Sequence, residues 1–240
     1  MNCYLETKNL NKSYGTFVAV KDMNVHMQKG DIYGLIGPNG AGKTTLMKMI
    51  VGFANPTSGE ILIDGSIDGQ RKIGSLIESP GIYGHLDAFD NMMLKAKALG
   101  VYDKKQINEI LNFVGLSGAG NKKAGKFSLG MKQRLGIAMA LLGEPEVLIL
   151  DEPINGLDPQ GIIEVRELIL RLQKEKNMTI MISSHILGEL QKVANVFGMI
   201  TGGELVMEVT SEELKDKCPG DSDSLEEFYL DVVRKGKRAC

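Results

Sequence analysis

The sequence predicts an α/β fold: a mostly parallel sheet core with two additions, an antiparallel β-subdomain and an inserted α-helical subdomain. Three observations predict it. Residues 31–36, 146–150 and 178–183 are short apolar runs, the pattern of strands covered on both faces. Residues 37–45 form a glycine-rich loop between such a strand and a helical pattern. Residues 87–142 hold three helical patterns with no strand between them.

Taken in order, residues 4–7 and 19–27 partly alternate apolar and polar, as half-exposed antiparallel strands do. Between them, residues 11–15 are turn-rich and carry Tyr14. A helix is expected over 44–51, stopped at Gly52. Residues 55–59 read as a turn, and 60–65 and 71–78 as strands, the second leading into Ser79-Pro80-Gly81. Helices follow over 90–99, ended by Gly100, and from Asp103 through Ile107, Ile110, Leu111 and Val114 to Gly115. A loop at 117–126 precedes the third helix, 129–142. Asp158-Pro159 opens another helix with a cap and a first-turn proline. Its apolar stripe is Ile162, Val165, Ile169 and Leu172, and Glu167 is placed to pair with Arg171. Residues 196–200 and 204–209 flank Gly202-Gly203 as a hairpin. Thr210-x-x-Glu213 and Ser224-x-x-Glu227 read as two capping boxes, opening two short helices.

The bulk numbers narrow the function classes. A net charge of −2 with no basic block gives no support to a nucleic-acid partner. Cys3, Cys218 and Cys240 are odd in number and scattered, so neither a metal-ligand spacing nor a disulfide framework is expected. The first residues lack the basic and apolar regions of a signal peptide, and no apolar run is long enough to span a bilayer. A cytoplasmic setting is the expectation.

Four segments carry chemistry. Gly37-Pro38-Asn39-Gly40-Ala41-Gly42-Lys43-Thr44-Thr45 fits the phosphate-cradling pattern G-x-x-x-x-G-K-[ST]. Its glycines let backbone N–H groups approach a polyphosphate, and the helix N-terminus adds free donors. Lys43 brings an ammonium to the phosphates and the Thr44 hydroxyl suits Mg²⁺. Residues 148–153 end an apolar strand in Asp151 and Glu152. Alternation along a strand points these carboxylates in different directions, Asp151 towards hydrated Mg²⁺ and Glu152 towards an attacking water. Ser128 and Gly130 open the third helix, either as an ordinary cap or as a second anion site. His185 follows a strand, where a neutral imidazole can bond a γ-phosphate oxygen; His26 and His85 read as surface residues. Tyr14 either stacks on adenine or packs on a strand edge.

In this order and at these separations, the segments resemble the ATP-binding-cassette ATPases over essentially the whole chain. The resemblance implies a RecA-like P-loop NTPase core over 1–86 and 143–210, with its β-subdomain. It implies a helical subdomain over 87–142 and a helical tail over 211–240. It makes Tyr14 the adenine-stacking aromatic, residues 37–45 the Walker A loop, and Asp151 and Glu152 the Walker B aspartate and catalytic glutamate. It makes Asn155-Gly156-Leu157-Asp158 the D-loop, which contacts the partner copy, and His185 the switch histidine. Ser128 and Gly130 become signature residues that bind, in trans, the γ-phosphate held by a second copy. The implied cofactors are ATP and Mg²⁺. The implied partners are a second copy, joined by ATP, and integral-membrane permease subunits that hold the dimer at the inner face of the membrane.

Three positions, in two segments, depart from the family pattern. Leu129 and Met131 stand where the signature usually has Gly and Gln. Glu78 stands where a glutamine usually helps ligate Mg²⁺; a carboxylate still offers an oxygen, but adds negative charge beside the phosphates. With residues 77–81 and 128–133 as they stand, the chain looks like the subgroup serving bacitracin-resistance and lantibiotic-immunity exporters. A soluble cassette acting on ribosomes or DNA, and a transporter subunit for another cargo in either direction, are the alternatives.

Overall fold

The computed structural model describes residues 3–67 and 73–217, together with Phe228 and Asp231. Strands β1 (Leu5–Tyr14), β2 (Phe17–Met23), β3 (His26–Met27), β4 (Ile32–Ile36), β5 (Ser58–Ile63), β6 (Ile73–Leu76), β7 (Val147–Leu150), β8 (Thr179–Ser184), β9 (Val196–Thr201) and β10 (Glu204–Thr210) form two sheets. The main sheet has the order β10-β9-β4-β8-β7-β6, parallel except at β10. In the second sheet β1 pairs antiparallel with β2, β3 and β5. Helix α1 (Lys43–Ile50) follows β4. Helices α2 (Ala88–Leu99), α3 (Lys104–Phe113) and α4 (Leu129–Ala140) lie between β6 and β7 in the chain, and α5 (Pro159–Lys176), α6 (Leu187–Leu190) and α7 (Ser211–Lys217) come later. The expected combination of parallel core, antiparallel sheet and helical insertion is present.

The middles of the central strands are apolar because each strand feeds two cores. Ile32, Ile36, Leu148, Leu150, Ile180 and Ile182 pack on one side with α2 to α6. Tyr33, Leu35, Val147, Ile149 and Met181 pack on the other with α1 and the antiparallel sheet. Successive side chains point to opposite faces, so a strand covered on both sides leaves polar residues only at its ends, as with Thr179, Ser183 and Ser184 of β8.

Several local expectations are corrected. Residues 11–14 are strand, not turn: Lys12, Ser13 and Tyr14 pair with Val20, Val18 and Phe17, and the register shifts absorb the polar residues as bulges. The turn itself is Gly15-Thr16. The single strand expected over 19–27 is broken at Asn24-Val25, where the buried Thr7 hydroxyl accepts from the Val25 N–H and donates to the Met23 carbonyl, both at 2.9 Å. Arg171 does not pair with Glu167. It turns the other way along the helix, to Glu175 at 3.0 Å, with its guanidinium 4.3 Å from the centre of the Phe113 ring. Strand β6 is shorter than expected, and Arg71-Lys72 lie outside the described residues, as do Cys218, Cys240 and the second capping box. The first capping box is formed: Glu213 N–H donates to Thr210 Oγ1, and Thr210 N–H to Glu213 Oε2.

Glycine sets how closely α4 approaches the sheet. A Cβ at Gly74 in β6 would overlap the Ala140 carbonyl oxygen at the end of α4, and one at Gly136 would lie 2.7 Å from Pro80 Cβ. Gly74→Ala is therefore expected to lower unfolding stability by about 1–3 kcal/mol, the usual cost of overpacking. Urea unfolding followed by circular dichroism checks this; an unchanged midpoint would show that α4 has room to move.

Candidate functional site

The loop after β4 turns on its glycines. Gly40 and Gly42 have positive φ, 80° and 106°, a region L side chains avoid. A Cβ at Gly42 would sit 2.6 Å from the Ala19 carbonyl oxygen, and one at Gly37 2.5 Å from that of Ile200. The loop thus rests on β2 and β9. Gly203 N–H also donates to the Ala41 carbonyl at 3.0 Å, so the last hairpin supports it from below.

Lys43 begins α1 and its side chain is 5% exposed. Its ammonium donates to the carbonyls of Gly37 at 2.7 Å and Pro38 at 3.2 Å, and lies 3.7 Å from Glu152 Oε1. Burial lowers its pKa, while the Glu152 and Asp151 carboxylates act the other way. Thr44 Oγ1 donates to Asp151 Oδ2 at 2.8 Å. The motif after β4 and the motif after β7 therefore meet, although 107 residues separate them in the chain.

Alternation along a strand is not what parts the two carboxylates. β7 ends at Leu150, and Glu152 turns into the left-handed region at φ 46°. Asp151 faces Thr44 and Ser183, whose hydroxyl donates to Oδ1 at 2.5 Å. Glu152 faces Lys43, and its Oε2 accepts from Asn155 Nδ2 at 3.0 Å and lies 3.1 Å from His185 Nδ1. Lys43, Glu152 and His185 are thus brought together as one group. Ser183 was missed as a site residue, and Asn155, expected only in the D-loop, bonds Glu152 instead of waiting on a partner. Ser183 reads in the sequence as the polar end of an apolar run.

The remaining candidates lie further out. Tyr14 is 51% exposed at the end of β1, with the Lys12 ammonium 4.9 Å from its ring centre. Ser128 caps α4, its Oγ accepting from the Met131 N–H at 3.2 Å. Gly130 is buried where α4 meets α5; a Cβ there would lie 3.6 Å from Gly161 Cα. Asp158 caps α5 through the Gly161 N–H at 2.9 Å. Leu129, one of the departures, lies along Gly156: a Cβ there would be 3.5 Å from its side chain. Glu78 is not drawn to Asp151. It adopts φ 63° and pairs with Lys48 at 2.5 Å, one turn along α1 from Thr44.

The donor set fits Mg²⁺. A carboxylate and a hydroxyl, both hard oxygen ligands, stand side by side beside a phosphate cradle, and Mg²⁺ is commonly held by one or two carboxylates plus substrate phosphates. Among the described residues, no group of three or more His, Cys, Asp or Glu could hold a metal ion unaided.

Residues 20–155 match the family model described as ABC transporter, more than half of the chain. The chain belongs to that family. It is an ATP-binding cassette ATPase. It is 48% identical over 223 residues to the bacitracin transport ATP-binding protein BcrA of Bacillus licheniformis, covering 90% of this chain and 73% of that protein. It is 46% identical over 237 residues to the lantibiotic transport ATP-binding protein SrtF of Streptococcus pyogenes, covering 98% and 99%. Among solved structures, it is similar to cbiO1 from Clostridium perfringens, part of the ABC transporter complex cbiONQ: TM-score 0.80, 27% identity, 90% and 92% covered. Among the described residues of this cassette, no helix is long and apolar enough to cross a membrane.

The Lys48–Glu78 pair is open to water, with side chains 34% and 65% exposed. A double-mutant cycle with Lys48→Met and Glu78→Gln is expected to give a coupling of about 0.2–1 kcal/mol that falls as salt rises. A larger, salt-independent coupling would show that Glu78 is locked in place.

Proposed function

We propose that this cassette is the ATP-hydrolysing subunit of a bacterial exporter for bacitracin- or lantibiotic-type peptides. In this reading two copies close head-to-tail on ATP and drive separate integral-membrane permease subunits from the cytoplasmic face. The observation that carries the enzymatic half is the convergence of Lys43, Thr44, Asp151, Glu152 and His185 at the mouth of one loop. The cargo rests on the names of the relatives and on the residues around Glu78 and Ser128.

Each residue then has a task. The glycine loop and Lys43 hold the β- and γ-phosphates, and Tyr14 stacks on adenine. Thr44 and Asp151 hold Mg²⁺, with Glu78 drawn from Lys48 to join them. When bound, Mg²⁺ offsets the negative charge that builds on the phosphates. Glu152 accepts the proton of the attacking water, and Asn155 and His185 orient its carboxylate. His185 also donates to the γ-phosphate. Ser128 and Gly130 reach the γ-phosphate of the other copy, with Asp158 at the same junction. The helical stretch 87–142 acts as a lobe that moves against the core of 1–86 and 143–210.

A cavity of about 340 Å³ beside this lobe supports the permease contact. Phe53, Tyr83 and Leu94 line it and are 70%, 52% and 44% exposed, beside Pro80 and Gly81 of the Glu78 loop. Exposed aromatics around a concavity suit a partner surface.

Glu152→Gln keeps the shape of the side chain and removes its basicity. Turnover is expected to fall on the order of 10²–10⁴-fold, while ATP binding persists and the dimer becomes stable enough to isolate. Phosphate release and light scattering read both; retained hydrolysis would remove Glu152 from the role of base. Lys43→Ala is expected to abolish most binding of a fluorescent ATP analogue, and unchanged affinity would refute its task. For the cargo, a deletion strain is expected to become sensitive to a bacitracin-type or lantibiotic peptide. Wild-type tolerance across such a panel would count against the peptide reading.

A further inference from the structure

We infer that Ser183 is a positioning residue for ATP hydrolysis: one buried hydroxyl sets the Asp151 carboxylate and the Glu152 backbone together. The inference rests on the ATPase reading of this site. Ser183 is fully buried on β8, two residues before His185. Its Oγ donates to Asp151 Oδ1 at 2.5 Å and accepts from the Glu152 N–H at 2.8 Å. Having one proton, the hydroxyl has a fixed direction: it gives that proton to the carboxylate and receives the amide.

Two consequences follow. With Oδ1 occupied, Oδ2 is the oxygen left towards Thr44, which is the face on which Mg²⁺ would be held. Outer-shell bonds of this kind orient metal-ligating carboxylates. At Glu152, the bond ties down the N–H of a residue at φ 46°, a conformation a glutamate adopts only when its surroundings hold it. Among the described residues Ser184, the next residue on the strand, makes no such link; its Oγ bonds to Ile186, accepting from the N–H at 2.9 Å and donating to the carbonyl at 3.3 Å. The link between the Asp151 carboxylate and the Glu152 backbone is therefore a property of position 183, not of any serine at the strand end.

Ser183→Ala deletes both bonds and leaves the phosphate loop untouched; Ser183→Thr keeps the hydroxyl. Three quantities separate the outcomes: affinity for a fluorescent ATP analogue without divalent metal, affinity for Mn²⁺ in the presence of ADP by electron paramagnetic resonance, and turnover. For Ser183→Ala we expect unchanged metal-free nucleotide binding, with Mn²⁺ affinity and turnover each reduced about 10–100-fold. Ser183→Thr is expected to restore most of both. If Ser183→Ala binds Mn²⁺ and turns over like the unaltered protein, the inference falls while the ATPase reading stands. If metal-free nucleotide binding falls by the same factor as Mn²⁺ binding, the role is only structural and the inference also falls. An unaltered protein that neither hydrolyses ATP nor binds Mn²⁺ with ADP overturns both.

Discussion

Asp151, 7% exposed, ties four elements of the chain together. Its oxygens take the hydroxyls of Thr44 on α1 and Ser183 on β8, and its N–H donates to the Leu76 carbonyl at the end of β6. The residue itself directly follows β7. A buried carboxylate is tolerated only where such bonds replace its lost hydration. The position of Glu152, and through it Lys43 and His185, depends on the chain leaving β7 at this point.

The sheet explains why that point is fixed. Three parallel strands, β4, β8 and β7, end at the same edge, and each of them hands over directly to a functional segment. Between the strands the register is regular, from Ile32 opposite Ile180 to Ile36 opposite Ser184. Side chains at the strand ends therefore arrive at matched heights. Loops carry the chemistry, and the rigid sheet positions them.

Much of this was legible in the sequence because the signals were local. A strand covered on both faces has to be a continuous apolar run, and a phosphate loop has to show its glycines and lysine. Caps at Asp103, Ser128 and Asp158 were readable for the same reason. What could not be read depended on partners far along the chain. The strand through Asn11, Lys12 and Ser13 is polar because bulges and partial exposure permit it, so local composition points to a turn. The left-handed turn at Glu152 is held partly by Ser183, and nothing in the residues around 152 announces it. The pairing of Glu78 with Lys48 depends on where α1 runs. Arg171 had two glutamates within reach along one helix, and the Phe113 ring accompanies its turn towards Glu175.

The two-sided strands carry one more implication. Leu148 and Ile149 are joined by a peptide bond, yet their side chains belong to separate cores divided by the sheet. Damage to one need not be felt by the other. Free-energy changes from substitutions at sites with no shared partners tend to add, so covalent neighbours on β7 behave energetically as strangers. Residues facing the same core from different strands, such as Leu148 and Ile180, are the ones whose replacements compensate or conflict. In this fold the sheet, more than the order of residues along the chain, decides which positions can vary independently.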